Sequence, residues 1–398
     1  MKQPSKFSEN HPMTNLKLLL LSFFALLLLS ACTNNDPIQA RRDLLGPGDY
    51  GRILATSLMP QGNDTSFGKI ENAGRGVYLV AGNLAGTQSQ FLMRFTGLSG
   101  TVKTAQLVLP IHLVAGTGLD FSPSMHRVTG DWQEDSVTAV KFNEQYDRLT
   151  VGTPVFGPLD SLRKNTDKDT LWFDIDSTLV QTWIADSTQN LGLLVNAQAP
   201  DLLAEFHSRH SLTKVPRLKL VLSQSTGRDT TRFFAPSADA FIFTRTATLP
   251  PDRLYLGNGE RFQIFFSFTP RDSISDNATI NRAELQLSVD STYSLSTADG
   301  FSFLTYLVDS VASVDPLEYK LGQLVISATG FVPNTDRTVR ISLTSLVQDW
   351  MLRPEANRGF VIQSISPSRD VTRLAFFADR SRPELAPRLL IDYTVPPK

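Results

Sequence analysis

The sequence predicts an all-β protein: two tandem antiparallel β-sandwich domains, jelly-roll-like, each carrying one short helical turn. Three observations lead there. Apolar residues recur at every second position, turn-forming Gly, Pro, Asn and Asp separate them at short intervals, and a set of segments occurs twice in the same order.

Phe91, Met93 and Phe95 alternate with other residues, as do Ala105, Leu107 and Leu109. Further on, Phe262, Ile264, Phe266 and Phe268 do the same, followed by Ala283, Leu285, Leu287 and Val289. Such alternation turns one face of a strand to a core and the other to water. The repeat is read from several matched segments. Leu179-Val180-Gln181-Thr182-Trp183 returns as Leu346-Val347-Gln348-Asp349-Trp350, and Asn190-Leu191-Gly192 as Asn357-Arg358-Gly359. Phe206 and Pro216-Arg217-Leu218 match Phe377 and Pro387-Arg388-Leu389, Ala105 to Leu109 match Ala283 to Leu287, and Tyr78 matches Tyr255. A duplicated domain follows, with one copy over 50–223 and the other over 229–396, joined by the polar stretch Ser223 to Thr231. The exception to the period of two lies at Ser177 to Ile184 and Thr344 to Leu352. There a Ser or Thr N-cap precedes apolar residues three and four apart, which fits a short helix closing one end of each sandwich, with Trp183 and Trp350 as its plugs.

With 398 residues, 41% of them hydrophobic, and a formal net charge of −1, the chain can bury real cores. No tract of five or more Lys/Arg occurs, so nucleic acid is not an expected partner. The single cysteine excludes a disulfide framework and a thiolate zinc cluster.

That cysteine follows the most specific local signal. Leu18 to Leu29 is an apolar run, too short to span a bilayer, with Lys17 before it and Leu29-Ser30-Ala31-Cys32 after it. The tetrapeptide resembles a bacterial lipobox. Residues 1–31 are then a lipoprotein signal peptide, with Met13 an alternative start, and Cys32 the first mature residue, acylated on its sulfur and its new amine. More than one acyl chain suffices for stable attachment. Residues 32–49, with Pro37, Gly46, Pro47 and Gly48, read as a tether. The expected location is the bacterial cell envelope, at the outer membrane.

Several chemical motifs fail on inspection. Gly62 to Gly68-Lys69 has five residues between its glycines and Ile70 where a phosphate loop needs Ser or Thr, so it reads as a turn. His112, His126, His207 and His210 all fall in the first copy, and His207 and His210 are three apart, which on a strand places them on opposite faces. Joint metal ligation by that pair would require a loop. Asn165, Asp167, Asp169 and Asp176 loosely match a calcium loop, but Thr170 stands where its sharp turn needs Gly. A structural calcium there is the one cofactor the motifs suggest, and a polar hairpin loop is the plainer account. Asp131, Glu134 and Asp135 flank Trp132. Paired carboxyls beside an aromatic suit glycoside cleavage, or they hydrogen-bond a sugar that stacks on the indole, or they cap a turn with Trp132 packed on the sheet.

The run Val128-Thr129-Gly130-Asp131-Trp132-Gln133-Glu134-Asp135, then the Leu-Val-Gln-x-Trp turn, the Gly192 strand, Phe206-His207-Ser208-Arg209 and Pro216-Arg217-Leu218 resemble the DNRLRE-domain family. The second copy departs from that pattern, with Val311-Ala312-Ser313-Val314-Asp315 in place of the Trp-containing segment. The resemblance implies β-sandwich modules similar to carbohydrate-binding modules of secreted proteins. On that basis the ligand contacts would be Trp132, Asp131, Glu134, His207, Arg209 and His210. The implied function is non-catalytic retention of a polysaccharide near the cell. The alternatives are an adhesive surface lipoprotein with a protein partner, and a polysaccharide-degrading enzyme.

Overall fold

A computed structural model describes residues 51–397 except 63, 71, 156–169, 226, 298–299, 312–318, 322–328 and 334. The signal peptide, Cys32 and the tether therefore lie outside the described residues, as do Asn165, Asp167 and Asp169. Among the described residues no helix is long and apolar enough to cross a membrane.

The fold is all-β, and every strand pairing whose register is given is antiparallel. The chain opens with β1 (Arg52–Leu58) and β2 (Thr65–Phe67), followed by β3 (Tyr78–Leu84), β4 (Thr87–Arg94), β5 (Thr101–Gly116) and β6 (Ser122–Val128). A four-residue helix α1 (Ala139–Phe142) precedes β7 (Tyr146–Val155) and β8 (Thr170–Ile175). Helix α2 (Ser177–Ala185) then leads to β9 (Leu193–Gln198), β10 (Leu202–His207) and β11 (Arg217–Ser223). The second half runs through β12 (Thr230–Phe234), β13 (Ala238–Arg245), β14 (Arg253–Gly257), β15 (Gln263–Phe266) and β16 (Thr279–Ser288). It continues with β17 (Gly300–Val311), β18 (Tyr319–Leu321), β19 (Thr329–Pro333) and β20 (Thr338–Ser342). Helix α3 (Thr344–Leu352), β21 (Phe360–Ser364), β22 (Arg373–Phe377) and β23 (Arg388–Val395) complete it.

Strand β5 alternates as the sequence predicts, with Ala105, Leu107, Leu109 and Ile111 buried. Its sixteen residues serve two layers. The first part pairs with β11 and β8, and the last part, from Ile111 to Gly116, with β10. That switch closes the strands into a ring running β10, β3, β4, β9, β6, β7, β8, β5 and back to β10. A sandwich of two separate sheets was the expectation; the long strand joins them at one edge into a barrel-like sheet.

The helical turns sit where the repeated Leu-Val-Gln-x-Trp motif puts them. Trp183 and Trp350 are buried, at 2% and 1% exposure. The motif's glutamine ties each helix to a strand: Gln181 Oε1 accepts from the Val102 N–H at 2.9 Å, and Gln348 Oε1 from the Ile280 N–H at 2.8 Å. The caps differ from the Ser/Thr expectation. Asp176 caps α2 by accepting from the Thr178 N–H, while the Thr344 hydroxyl accepts from the Ala283 N–H across the sheet. Asn190 and Asn357 also act alike, donating to the Phe95 and Phe268 carbonyls. Gly192 and Gly359 follow at φ +100° and +82°, where a Cβ would meet the carbonyl oxygens of Met93 and Phe266.

Pairings repeat as well. The β4–β9 pair is matched by β15–β21, β5–β8 by β16–β20, β5–β11 by β16–β23, and β3–β10 by β14–β22. The two opening strands of each half, however, go to the other half. Strand β12 pairs with β11 and β13 with β4, while β1 pairs with β23 and β2 with β15. The opening strands are thus exchanged reciprocally. The division expected at 223–229 does not separate two bodies, because residues 53–394 form one compact unit. Its physical reason is the short join, which folds β12 straight back on β11 as a hairpin and delivers β13 to β4. The stretch Gly62 to Gly68, read above as a turn, contains β2.

The main core mixes both halves accordingly. Phe91, Phe95, Phe173, Phe206 and Trp183 pack in one cluster with Phe241, Phe243, Leu295 and Val371.

Candidate functional site

From Phe91 to Met93 strand β4 is buried on both faces, against the expected alternation of dry and wet. Phe91 and Met93 enter the main core, while Leu92 enters a second cluster with Val128, Trp132, Val137, Phe142, Leu194, Ala240 and Ile242. The segment between β6 and β7 lies over the outer face of β13, β4 and β9 and keeps it dry. Trp132 is the largest residue of this cover. It is 5% exposed, its indole N–H donates to the Leu191 carbonyl at 2.9 Å, and the Arg94 guanidinium lies 4.9 Å from its ring centroid. Arg94 also donates to Asp131 Oδ1 and to the Trp132 carbonyl, each at 2.9 Å. Trp132 therefore offers no free ring face to a sugar, and Asp131 serves a cation beside it. The stacking role implied by the resemblance is corrected to a packing role.

Glu134, Arg209 and His210, the other members of that set, do converge. Glu134 Oε1 lies 3.1 Å from His210 Nε2 and accepts from the Asp239 N–H at 3.1 Å. Its Oε2 accepts from Arg209 Nη1 at 2.8 Å. Arg209 also donates through Nη1 to the Ser237 carbonyl, and its backbone N–H donates to Asp239 Oδ2 at 2.6 Å. The Asn72 amide holds the segment by donating to the Glu134 and Val137 carbonyls at 2.7 and 2.9 Å. Asp239 belongs to β13, the exchanged strand, and is 1% exposed. Burial is the chief cause that pushes its carboxyl up to about 7; the Arg209 N–H opposes the shift and the Glu134 charge adds to it.

His207 stands apart from this cluster. It ends β10, its Nδ1 is 2.8 Å from Ser211 Oγ, and its ring lies 5.4 Å from that of His112 and 5.8 Å from Tyr78. Burial first, then the charges of His112 and Lys214, push its pKa down to about 4, so the ring is neutral at pH 7. His207 and His210 do not share a ligand position. Asp176, the described member of the calcium pattern, is spent on capping α2.

Sequence reasoning missed Asp239. Its signal was present in the repeat: Arg209 and Arg380 each lie three residues after the matched Phe206 and Phe377, and each meets an aspartate at an exchanged strand, Arg209 through its backbone N–H to Asp239 on β13 and Arg380 through its guanidinium to Asp64 just before β2. In the second half Arg380 Nη2 donates to Asp64 Oδ1 at 2.5 Å, with the Asp64 side chain 7% exposed. An open cleft of about 610 Å³ lies beside this pair. Among the described residues it is lined by Asp64, Arg245, Pro250, Arg253, Tyr255 and Arg380. The arginines are held by carboxylates: Arg245 on Glu260 at 2.8 Å, Arg253 on Asp290 at 2.7 Å and on Asp252 at 2.6 Å.

One more ionisable group lies between the halves. Glu205 on β10 is fully buried, with Thr297 and Asp370 of the second half beside its carboxylate. Burial, then the charge of Asp370, raises its pKa well above the usual carboxylate range.

No family model matches the chain, and no curated protein matches it as a relative.

Proposed function

We propose that the chain is a lipid-anchored envelope protein that retains a polysaccharide without cleaving it, built from two DNRLRE-like sandwich repeats. The anchor rests on the apolar run and Leu29-Ser30-Ala31-Cys32. The observation that carries the binding reading is the cleft beside β2. Its three arginines are fixed by ion pairs before any ligand arrives, so little side-chain ordering remains to oppose binding. Guanidinium N–H groups donate to sugar hydroxyls or carboxylates, and the flanking Asp64 and Asp252 accept from hydroxyls. This reading gives one site per chain, in the second repeat.

Retention of the mature protein on a panel of immobilised polysaccharides tests it. Thr248 is exposed and lines the cleft, so Thr248→Trp should abolish retention and leave thermal unfolding unchanged. Failure of the wild-type chain to be retained by any glycan sinks the reading. Stoichiometric capture of one envelope protein by gentle crosslinking would then favour an adhesive component, and release of reducing ends or unsaturated sugars a polysaccharide-degrading enzyme.

A further inference from the structure

We propose that Glu134, His210 and Asp239 form a binding site for one divalent transition-metal ion of the zinc class, which clasps the exchanged strand β13 to the first repeat. The proposal stands apart from the glycan reading. Each of the three residues offers one ligand atom, and these atoms lie within 4.8 Å of one another. Zinc bonds to nitrogen and oxygen are about 2.0–2.2 Å long, so two ligands on one ion are at most roughly 4.4 Å apart. A small contraction of the cluster accommodates that span.

The second, independent observation is Asp239 itself. Its side chain is 1% exposed, its Oδ2 is engaged by the Arg209 backbone N–H, and its Oδ1 is buried with no hydrogen-bond partner. Buried acceptors are ordinarily satisfied, so an orphaned carboxylate oxygen beside a second carboxylate and an imidazole points to an absent cation. The donor set names the class. An imidazole nitrogen with two carboxylates suits zinc and its neighbours, whereas calcium and magnesium take all-oxygen shells. Arg209 does not block the site, because its guanidinium occupies Glu134 Oε2 and leaves Oε1 directed at His210 Nε2. The supporting bonds are built: the Asn72 amide holds the Glu134 backbone, and the Ser208 hydroxyl accepts from the His210 N–H at 3.0 Å. Glu134 follows β6, His210 follows β10 and Asp239 lies on β13, so one ion would cross-link three segments far apart in sequence.

Zinc titrated into the chelator-treated, purified mature chain should bind at one equivalent and raise the thermal unfolding midpoint. Cobalt in its place should give visible absorption bands of a low-coordinate site. His210→Ala, a partly exposed position, should fold normally and lose at least about tenfold in zinc affinity, together with the cobalt bands. Asp239→Asn should do the same; if that variant does not fold, His210→Ala and the cobalt spectrum decide. Absence of zinc uptake, uptake undiminished in His210→Ala, or uptake of calcium alone would each overturn the proposal.

Discussion

The two junctions at which an exchanged strand meets its host repeat place an arginine and an aspartate at matching positions but join them differently, through the Arg209 backbone N–H in one and the Arg380 guanidinium in the other. At β13, Asp239 is sealed beneath Glu134, His210 and the cover that carries Trp132. At β2, Asp64 makes one ion pair with Arg380 at the rim of an open cleft. One topological device is thus completed by a packed polar cluster in one half and by a single ion pair beside a cleft in the other. The difference teaches what the strand exchange leaves to other segments: at β13 the connection between β6 and β7 seals Asp239 by bringing Glu134 onto it.

The comparison breaks most sharply if the exchanged strands are withheld. A fragment spanning residues 69–247 keeps β3 to β13 together and should fold, giving a protease-resistant core by limited proteolysis. The fragment 69–223, cut where the sequence repeat ends, lacks β12 and β13 and should stay largely unfolded. Equal resistance of the two would show that the exchanged strands are dispensable.

Next in size are the indoles. Trp350→Ala and Trp132→Ala each remove a buried ring and should cost about 3–5 kcal/mol by denaturant unfolding. If Trp132→Ala is nearly neutral to stability, the cover is not packed as described. Arg380→Ala leaves the Asp64 carboxylate without its ion-pair partner and should cost about 1–3 kcal/mol. Arg75→Ala, which removes a pair to Asp135 with both side chains mostly exposed, should cost less than about 1 kcal/mol. Matching costs for the two would mean that the junction pair is only a surface contact.

The gentlest effect is a slope. Glu205 has a raised pKa in the folded chain, so the folded state holds its proton more tightly than the unfolded one. Its contribution to stability is complete below the unfolded value of about 4.3 and is lost as pH rises through the folded value. Thermal unfolding midpoints measured upward from pH 4 should therefore fall less steeply in Glu205→Gln than in the wild-type chain. An unchanged slope would place the pH response elsewhere.

Much of the architecture was legible because it is local. Alternation found β5, and the Leu-Val-Gln-x-Trp motif located both helices and both plugs, since period and capping act within a few residues. Strand partners were not legible. Alternation says which face Phe91 turns to a core but not that it pairs with Phe241, and the repeat suggested that each copy would keep its own strands. The wet face expected for β4 was dry at Leu92 for the same reason: its cover comes from Trp132, Val137 and Phe142, remote in sequence. Of the site, Glu134, Arg209 and His210 were named individually, but their meeting point is set by Asp239, which the exchange delivers.

The exchange also sets an order of assembly. Strands β3 to β13 can close once residue 245 has been synthesised, whereas β1 must wait for β23, which is made far later. Until then the leading segment has no sheet to join, and contacts of such sequence separation form slowly and leave strand edges open to wrong partners. Strand β1 is therefore made before β3 to β13 and locks after them.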